Sequence, residues 1–329
     1  MPALTIDKRD LRAFLILGVF LSLLIALIGL AVSSHAIKNH RVKALLNQRV
    51  CTKCDLDGTN LEGANLESVN LEDATLRDTR LKRANLHNAI LTRSILSEAD
   101  LSKANLSSAS LSDAILNGVL LKEANLSDAN LSNTYLGDTN LNNANLRDAN
   151  LRGSNLVRAN LMDANLQDAT LGEVNLNRAN LQRADLRRAD LGDVDLRNAK
   201  LTGANLARAN LPRADLTRTE LETANLRDAN LSNANLTNAD LSNTDLTEAY
   251  LAEADLSNTN LTSANLEGAN LARADLRSAN LSGANLNNVN LRRADLRGAN
   301  VAGVNLNTVK LCRTIMPDES IANRDCSQQ

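Results

Sequence analysis

A leucine stands at every fifth position from Leu56 to Leu311, with no insertion or deletion. Only Val301 breaks the run of 52 slots. Two residues before each slot the side chain is small: 35 Ala, 7 Thr, 7 Val, 2 Ser and Cys54. The residue immediately before the slot is Asn or Asp in 39 of the 52, so one polar–apolar phrase repeats throughout. A helix would rotate each Leu by about 140° per repeat and leave no apolar stripe. A continuous strand alternates with period two and would send every second Leu to the wrong face. A chain that turns a corner at each repeat keeps all of them inside. Each pentapeptide is then one short side of a coil, with the Leu and the small residue inward and the other three outward. Coils stack at roughly 4.8 Å, joined by backbone hydrogen bonds. The Asn and Asp residues are expected at the corners, where their side chains bond local backbone. Pro212 directly follows a core slot, where a turn accepts it.

The run ANLSDANL (Ala124 to Leu131) and its many copies resemble the pentapeptide repeat proteins. The resemblance covers residues 51–316 and implies an all-β solenoid, a right-handed quadrilateral β-helix with four pentapeptides per coil. The 52 slots then make about 13 coils, a rod on the order of 60 Å long. The flanks are similar to those of cyanobacterial members: LLNQRVCTKCDLDGTNL (Leu45 to Leu61) to their N-terminal lead-in, and LCRTIMPDESIANRDC (Leu311 to Cys326) to their closing segment. A 20-residue coil stacks Asp57 beneath Arg77, Glu62 beneath Lys82 and Asp73 beneath Arg93.

The ends of such a coil expose unpaired backbone and need covers. Residues 37–50 read as a short capping helix, with Leu45 and Leu46 facing the first coil. Residues 317–329 read as a C-terminal cap, with Ile315, Met316 and Ile321 covering the last coil. Ahead of them lie residues 1–12, a basic flank, and residues 13–36, which carry no Asp, Glu, Lys or Arg and are long enough to span a bilayer. A cleaved signal peptide, leaving a secreted or lumenal soluble rod, is the competing reading. The apolar core exceeds the usual signal-peptide length and favours an uncleaved, single-pass anchor. Lys8, Arg9 and Arg12 flank it on one side and Lys38, Arg41, Lys43 and Arg49 on the other, nearly a draw that tilts slightly toward a cytoplasmic rod and leaves the side open.

Four cysteines sit at the ends of the array. Cys51 and Cys54 fall in the inward phase, which favours small core filler over a disulfide or a metal site. Cys312 and Cys326 can close a loop across the C-terminal cap; oxidised, they argue for a rod outside the reducing cytoplasm. His87 is placed on the outer face above Glu67. No phosphate-binding loop, nucleophile motif or acid–base pair appears, so no enzyme, cofactor, metal or small-molecule substrate is expected.

Partner choice must therefore lie in the outward positions. Where Asn or Asp is expected, the chain has Ile90, Ile95, Ile115, Leu120 and Tyr135. Thr75, Ile95, Ile115 and Tyr135 are 20 apart and should stack in one column. These departures mark a candidate patch for an unknown protein partner or for self-association; the competing reading is cross-coil packing. From Arg178 to Arg218 nine Lys/Arg oppose five Asp, read as a mixed solvated face. Nucleic-acid binding is not expected, for no stacking aromatics accompany the charge. The resembled family also includes proteins that protect DNA gyrase by imitating DNA. This array has 26 Lys/Arg against 33 Asp/Glu, far short of the charge density of a duplex, at about one per 1.7 Å. The expectation is a membrane-anchored, non-enzymatic scaffold for protein binding or spacing.

Overall fold

The computed structural model describes residues 42, 43 and 45–326. The basic flank, the 13–36 segment and the first part of the 37–50 cap lie outside the described residues. Two compact units divide at Gln48 and Arg49. In the first, residues 45–48 are helical, with Leu45 buried but Leu46 40% exposed, so the two leucines do not share one environment. No helix among the described residues is long and apolar enough to cross a membrane.

The second unit is the coil. Residues 20 apart pair as parallel bridges from Val50–Asn70 to Asp295–Ile315, one on each of four sides per turn. From Leu56 to Leu296 every inward leucine is buried to within a few per cent. Apart from the half-buried Cys54, Ala64 and Val304, the small residue beside each Leu is buried as well, and where it is Thr or Ser its hydroxyl is satisfied: Thr134 Oγ1 donates to the Leu131 carbonyl at 2.6 Å. Two inward side chains therefore fill each side without leaving an orphaned polar atom.

Residues 96–103 show how one repeat satisfies its backbone. Leu101 N–H donates to the Leu120 carbonyl of the coil above, at 2.8 Å. Lys103 N–H donates to the Lys122 carbonyl in the same direction, at 2.9 Å, and Asp100 N–H donates down to Thr79 at 3.0 Å. Ala99 N–H closes a turn onto Leu96 at 2.9 Å. One donor remains, the N–H of the residue after Leu. The ladder does not reach it; the side chain before the Leu does, as Asp100 Oδ1 accepts from Ser102 N–H at 2.9 Å. That is why Asn and Asp dominate there, and it moves them from where the sequence placed them. They occupy the bridged, extended position, and the corner is made by the two residues after each Leu. The second of these is left-handed along the array, with φ of +59° at Asp128, +57° at Asp228 and similar values elsewhere. Nine of the array's twelve glycines stand at this phase, and Asp, Asn, Arg and Glu fill most of the rest. Left-handed φ costs a non-glycine residue about 1–2 kcal/mol, offset here by the ladder bond that its own N–H makes.

The regularity ends in the last coil. Among the described residues the Asn285–Asn305 rung is missing from the ladder. Val301 there replaces the larger Leu, and Val304 and Leu306 are only half-buried. Beyond it β1 (Thr314–Ile315) pairs antiparallel with β2 (Ile321–Ala322). Ile321 is 64% exposed and does not cover the coil, contrary to the sequence expectation. Polar groups close it instead. Asp325 Oδ2 accepts from Leu311 N–H at 2.8 Å, Arg324 donates to the Val309 and Leu306 carbonyls, and Cys312 is bonded to Cys326. At the other end Arg49 Nη1 donates to the Asn65 and Glu67 carbonyls.

Core and corner make separable demands. Leu166→Ala should cost about 2–5 kcal/mol in urea unfolding. Proline discriminates the two corner positions. Arg227→Pro gives up the exposed bond from Arg227 N–H to Asn225, as Pro212 does in its own repeat, and an exposed 4.0 Å ion pair with Asp228, and should fold. Asp228→Pro cannot adopt φ +57° and loses its ladder bond to Thr247, which should cost about 3 kcal/mol or more.

Candidate functional site

What remains for recognition is the outer grid: the residue before each Leu and the two after it. Most of this grid is internally satisfied. On one side Asn85, Asn105, Asn125, Asn145 and Asn165 each donate Nδ2–H to the asparagine Oδ1 one coil below, at 2.9–3.3 Å. Charges are paired between coils in the same way. Arg77 meets Asp57 at 3.3 Å and Arg93 meets Asp73 at 2.8 Å, as the 20-residue spacing predicts. Glu62 and Lys82 form no ion pair among the described residues. The Arg178–Arg218 section is largely neutralised: Arg183, Arg188 and Arg213 hold Asp163, Asp168 and Asp193 one coil below at 2.6–2.7 Å. His87 bonds Ser107 through Nδ1 rather than Glu67.

These pairs shift carboxyl pKa values. Hydrogen bonding by the Arg188 guanidinium, then by Gln167, brings Asp168 down to about 2. Arg183 and Arg213 lower Asp163 and Asp193 in the same sense.

The apolar exceptions behave differently. Tyr135 is 52% exposed, Leu120 43% and Ile90 40%, whereas Ile95 and Ile115 are half-buried. Thr75, Ile95, Ile115 and Tyr135 are bridged in succession and form one column. Ile90 lies on the side before it and Leu120 on the side after it, so the five residues wrap a corner region rather than share one plane. Each exception also removes the acceptor for the N–H two residues on. Among the described residues Thr92, Ser97, Asn117 and Lys122 N–H have no protein partner. Gly137 N–H is rescued by Asn117 Oδ1 from the coil below, at 3.0 Å. Tyr250, 50% exposed, belongs to the same class, in the column of Ile90. The same departure from Asn or Asp marks it in the sequence.

The structure bonds Cys51 to Cys54 and Cys312 to Cys326, with Cα–Cα distances of 5.4 and 4.7 Å. Cys51 is buried in the core phase as well, so core filling and disulfide formation coincide there. Among the described residues no group of three or more His, Cys, Asp or Glu could hold a metal. A shallow groove of about 490 Å³ lies beside Arg277, Arg297 and Glu319. Its two arginines are already held by Asp275 and Asp295.

Family models describing pentapeptide repeats match residues 50–83, 159–198, 189–228, 229–268 and 269–307. A pentapeptide repeat region matches residues 84–161. This chain is a member of the pentapeptide repeat family. Among solved structures it is 35% identical to HetL of Nostoc sp. strain PCC 7120, described as involved in heterocyst differentiation regulation. That match covers 70% of this chain and 92% of HetL, at a TM-score of 0.24. It is 33% identical to a thylakoid-lumen pentapeptide repeat protein of Arabidopsis thaliana, over 34% of this chain and 70% of that one, at a TM-score of 0.26. QnrB1, a plasmid-mediated fluoroquinolone resistance protein, is 18% identical over 54% of this chain and 89% of its own, at a TM-score of 0.47. No curated protein sequence matches. The family's right-handed β-helix solenoid agrees with the four-sided ladder, and its members are generally structural or binding proteins.

The arginine clamps give a pH signature. Asp168 is depressed below its unfolded value, so its contribution to stability is present above the ordinary carboxylate range and is lost as pH falls toward about 2. In Arg188→Gln the carboxyl should titrate nearer 3.8, read by NMR of the side-chain carbon.

Proposed function

We propose that this pentapeptide repeat protein is a non-enzymatic, membrane-tethered scaffold that docks a protein partner on its apolar exceptions. One observation carries the docking reading. Except at Asn210, where Pro212 has no N–H, every Asn or Asp before a Leu can accept the N–H two residues on, a bond worth about 0.5–1.5 kcal/mol net. Ile90, Ile95, Ile115 and Leu120 forgo it, and they do so within neighbouring coils while leaving apolar surface in water. Polar exceptions such as Arg80, Ser110, Thr170, Lys200 and Glu220 leave the same N–H without a partner among the described residues, but the apolar ones add clustered apolar surface to that loss, which fits a binding surface.

The tether is residues 13–36, long enough to span a bilayer. The two disulfides at the ends of the array favour placing the rod on the oxidising side of that membrane. Imitation of DNA fits less well, because the outer carboxylates are clamped by arginines instead of forming a continuous acidic surface.

Ile115→Asn restores an acceptor for Asn117 N–H and should fold at no cost in Tm. The same change should abolish capture of the partner by a photo-cross-linker at Tyr135 in the native membrane. Equal capture by a cross-linker at Asn145, on the amide ladder, would sink the docking surface. Protease protection and alkylation without reductant test the tether and its side. The expected result is an integral protein whose four cysteines stay unlabelled; extraction by carbonate removes the tether, and ready labelling removes the oxidising side.

A further inference from the structure

We propose that the side bearing Ile95 and Ile115 pairs with the same side of a second copy of this chain, the two rods antiparallel about a two-fold axis between those isoleucines. This rests on the docking reading and names its occupant. An antiparallel two-fold lays each column on itself, inverted about a point midway between the two coils, and the interface is isologous.

Inversion brings Ile95 of one copy onto Ile115 of the other, twice. It opposes large residues to small ones along the same columns: Tyr135 meets Thr75, and Arg77 meets Gly137. It also matches charge. Arg93 falls opposite Asp113. Arg93 uses Nε and Nη2 on Asp73 and Glu72, leaving Nη1 without a bond, and the Asp113 carboxylate has no partner among the described residues. The residues between these contacts are uncharged: Thr92, Ser97, Ser112 and Asn117. Glu98 falls opposite Gly118, over which Glu98 of the same copy already folds its carboxylate, so the two Glu98 side chains approach each other at the corner. A second like-charge approach, Asp78 to Asp138, also lies at the outer corner, and Arg158 already neutralises Asp138. A parallel two-fold instead sets the column on itself in register, and the stacked Asp195, Asp215, Asp255, Asp275 and Asp295 would then each face their own copy.

Overlap runs from the Asp55 rung to the Asn155 rung, six rungs in all. That is about 29 Å of height on a side at most about 16 Å wide, roughly half the usual 800 Å² per partner. The dimer therefore belongs to the weak, concentration-dependent class.

Sedimentation velocity of the full chain in detergent, across the micromolar range, tests this. The wild type should pass from monomer to dimer. The Ile95→Asp/Ile115→Asp variant should stay monomeric with unchanged Tm, since both residues lie outside the core. Arg93→Asp or Asp113→Arg alone should weaken association about tenfold, and the two together should restore it. A photo-cross-linker at position 95 should reach position 115 of the second copy. A monomer at every concentration overturns the pairing, as does a dimer that survives the double Asp variant, or a cross-link from 115 to 115. Capture of a different protein at Tyr135, with the chain monomeric, overturns the second copy and leaves the docking surface standing. No capture at all removes both.

Discussion

Each side of this coil must seat a leucine and a small residue on a lumen shared with three other such sides. That demand fixes the five-residue period, because only two side chains of five fit inside. It also fixes the backbone. With coils at strand spacing, four of the five N–H groups of a repeat find carbonyls in the ladder or the turn. The fifth depends on the side chain before the Leu. The polar preference of the outer surface is thus a consequence of core geometry, through one donor that the backbone ladder does not reach.

The inward half of the molecule was legible from Leu56 onward, since periodicity and residue size both report on burial. The corner was less so. The sequence placed Asn and Asp there, and the structure puts the turn on the two residues after Leu. Arg, Asp, Asn and Glu all occupy the left-handed position, so composition hides the strain; the glycines clustered at that phase were the available clue. The closing of the last coil was also hidden. Ile321 reads as a cover by hydrophobicity, yet Asp325, Arg324 and the Cys312–Cys326 bond close the end through specific geometry. The apolar exceptions stood out in the sequence, and the 20-residue period already divides the five among three sides, but the hydrogen bond lost beside them shows only in the folded backbone.

The outer surface divides accordingly. Amide ladders and arginine clamps satisfy one another between coils and present little that a partner could gain by displacing. Exposed pairs of this kind contribute modestly to stability. Their larger effect is to leave the few unsatisfied or apolar positions as the places where a contact brings net benefit. A coil filled by its own side chains still has localised chemistry, set by where its outer grid fails to close on itself.

The 20-residue coil gives the chain a second, hidden period above the five-residue one. Loss or gain of a single pentapeptide would leave every leucine inside and every turn intact. It would also rotate everything above that point by a quarter turn, carrying Ile115 out of line with Ile95 and Arg188 away from Asp168. Only changes of four pentapeptides preserve both the core and the surface. The unbroken count from Leu56 to Leu311 is therefore more than the core requires. Length variation in such a rod is free to the interior and disruptive to the exterior, so its outer pattern constrains the chain more tightly than its packing does.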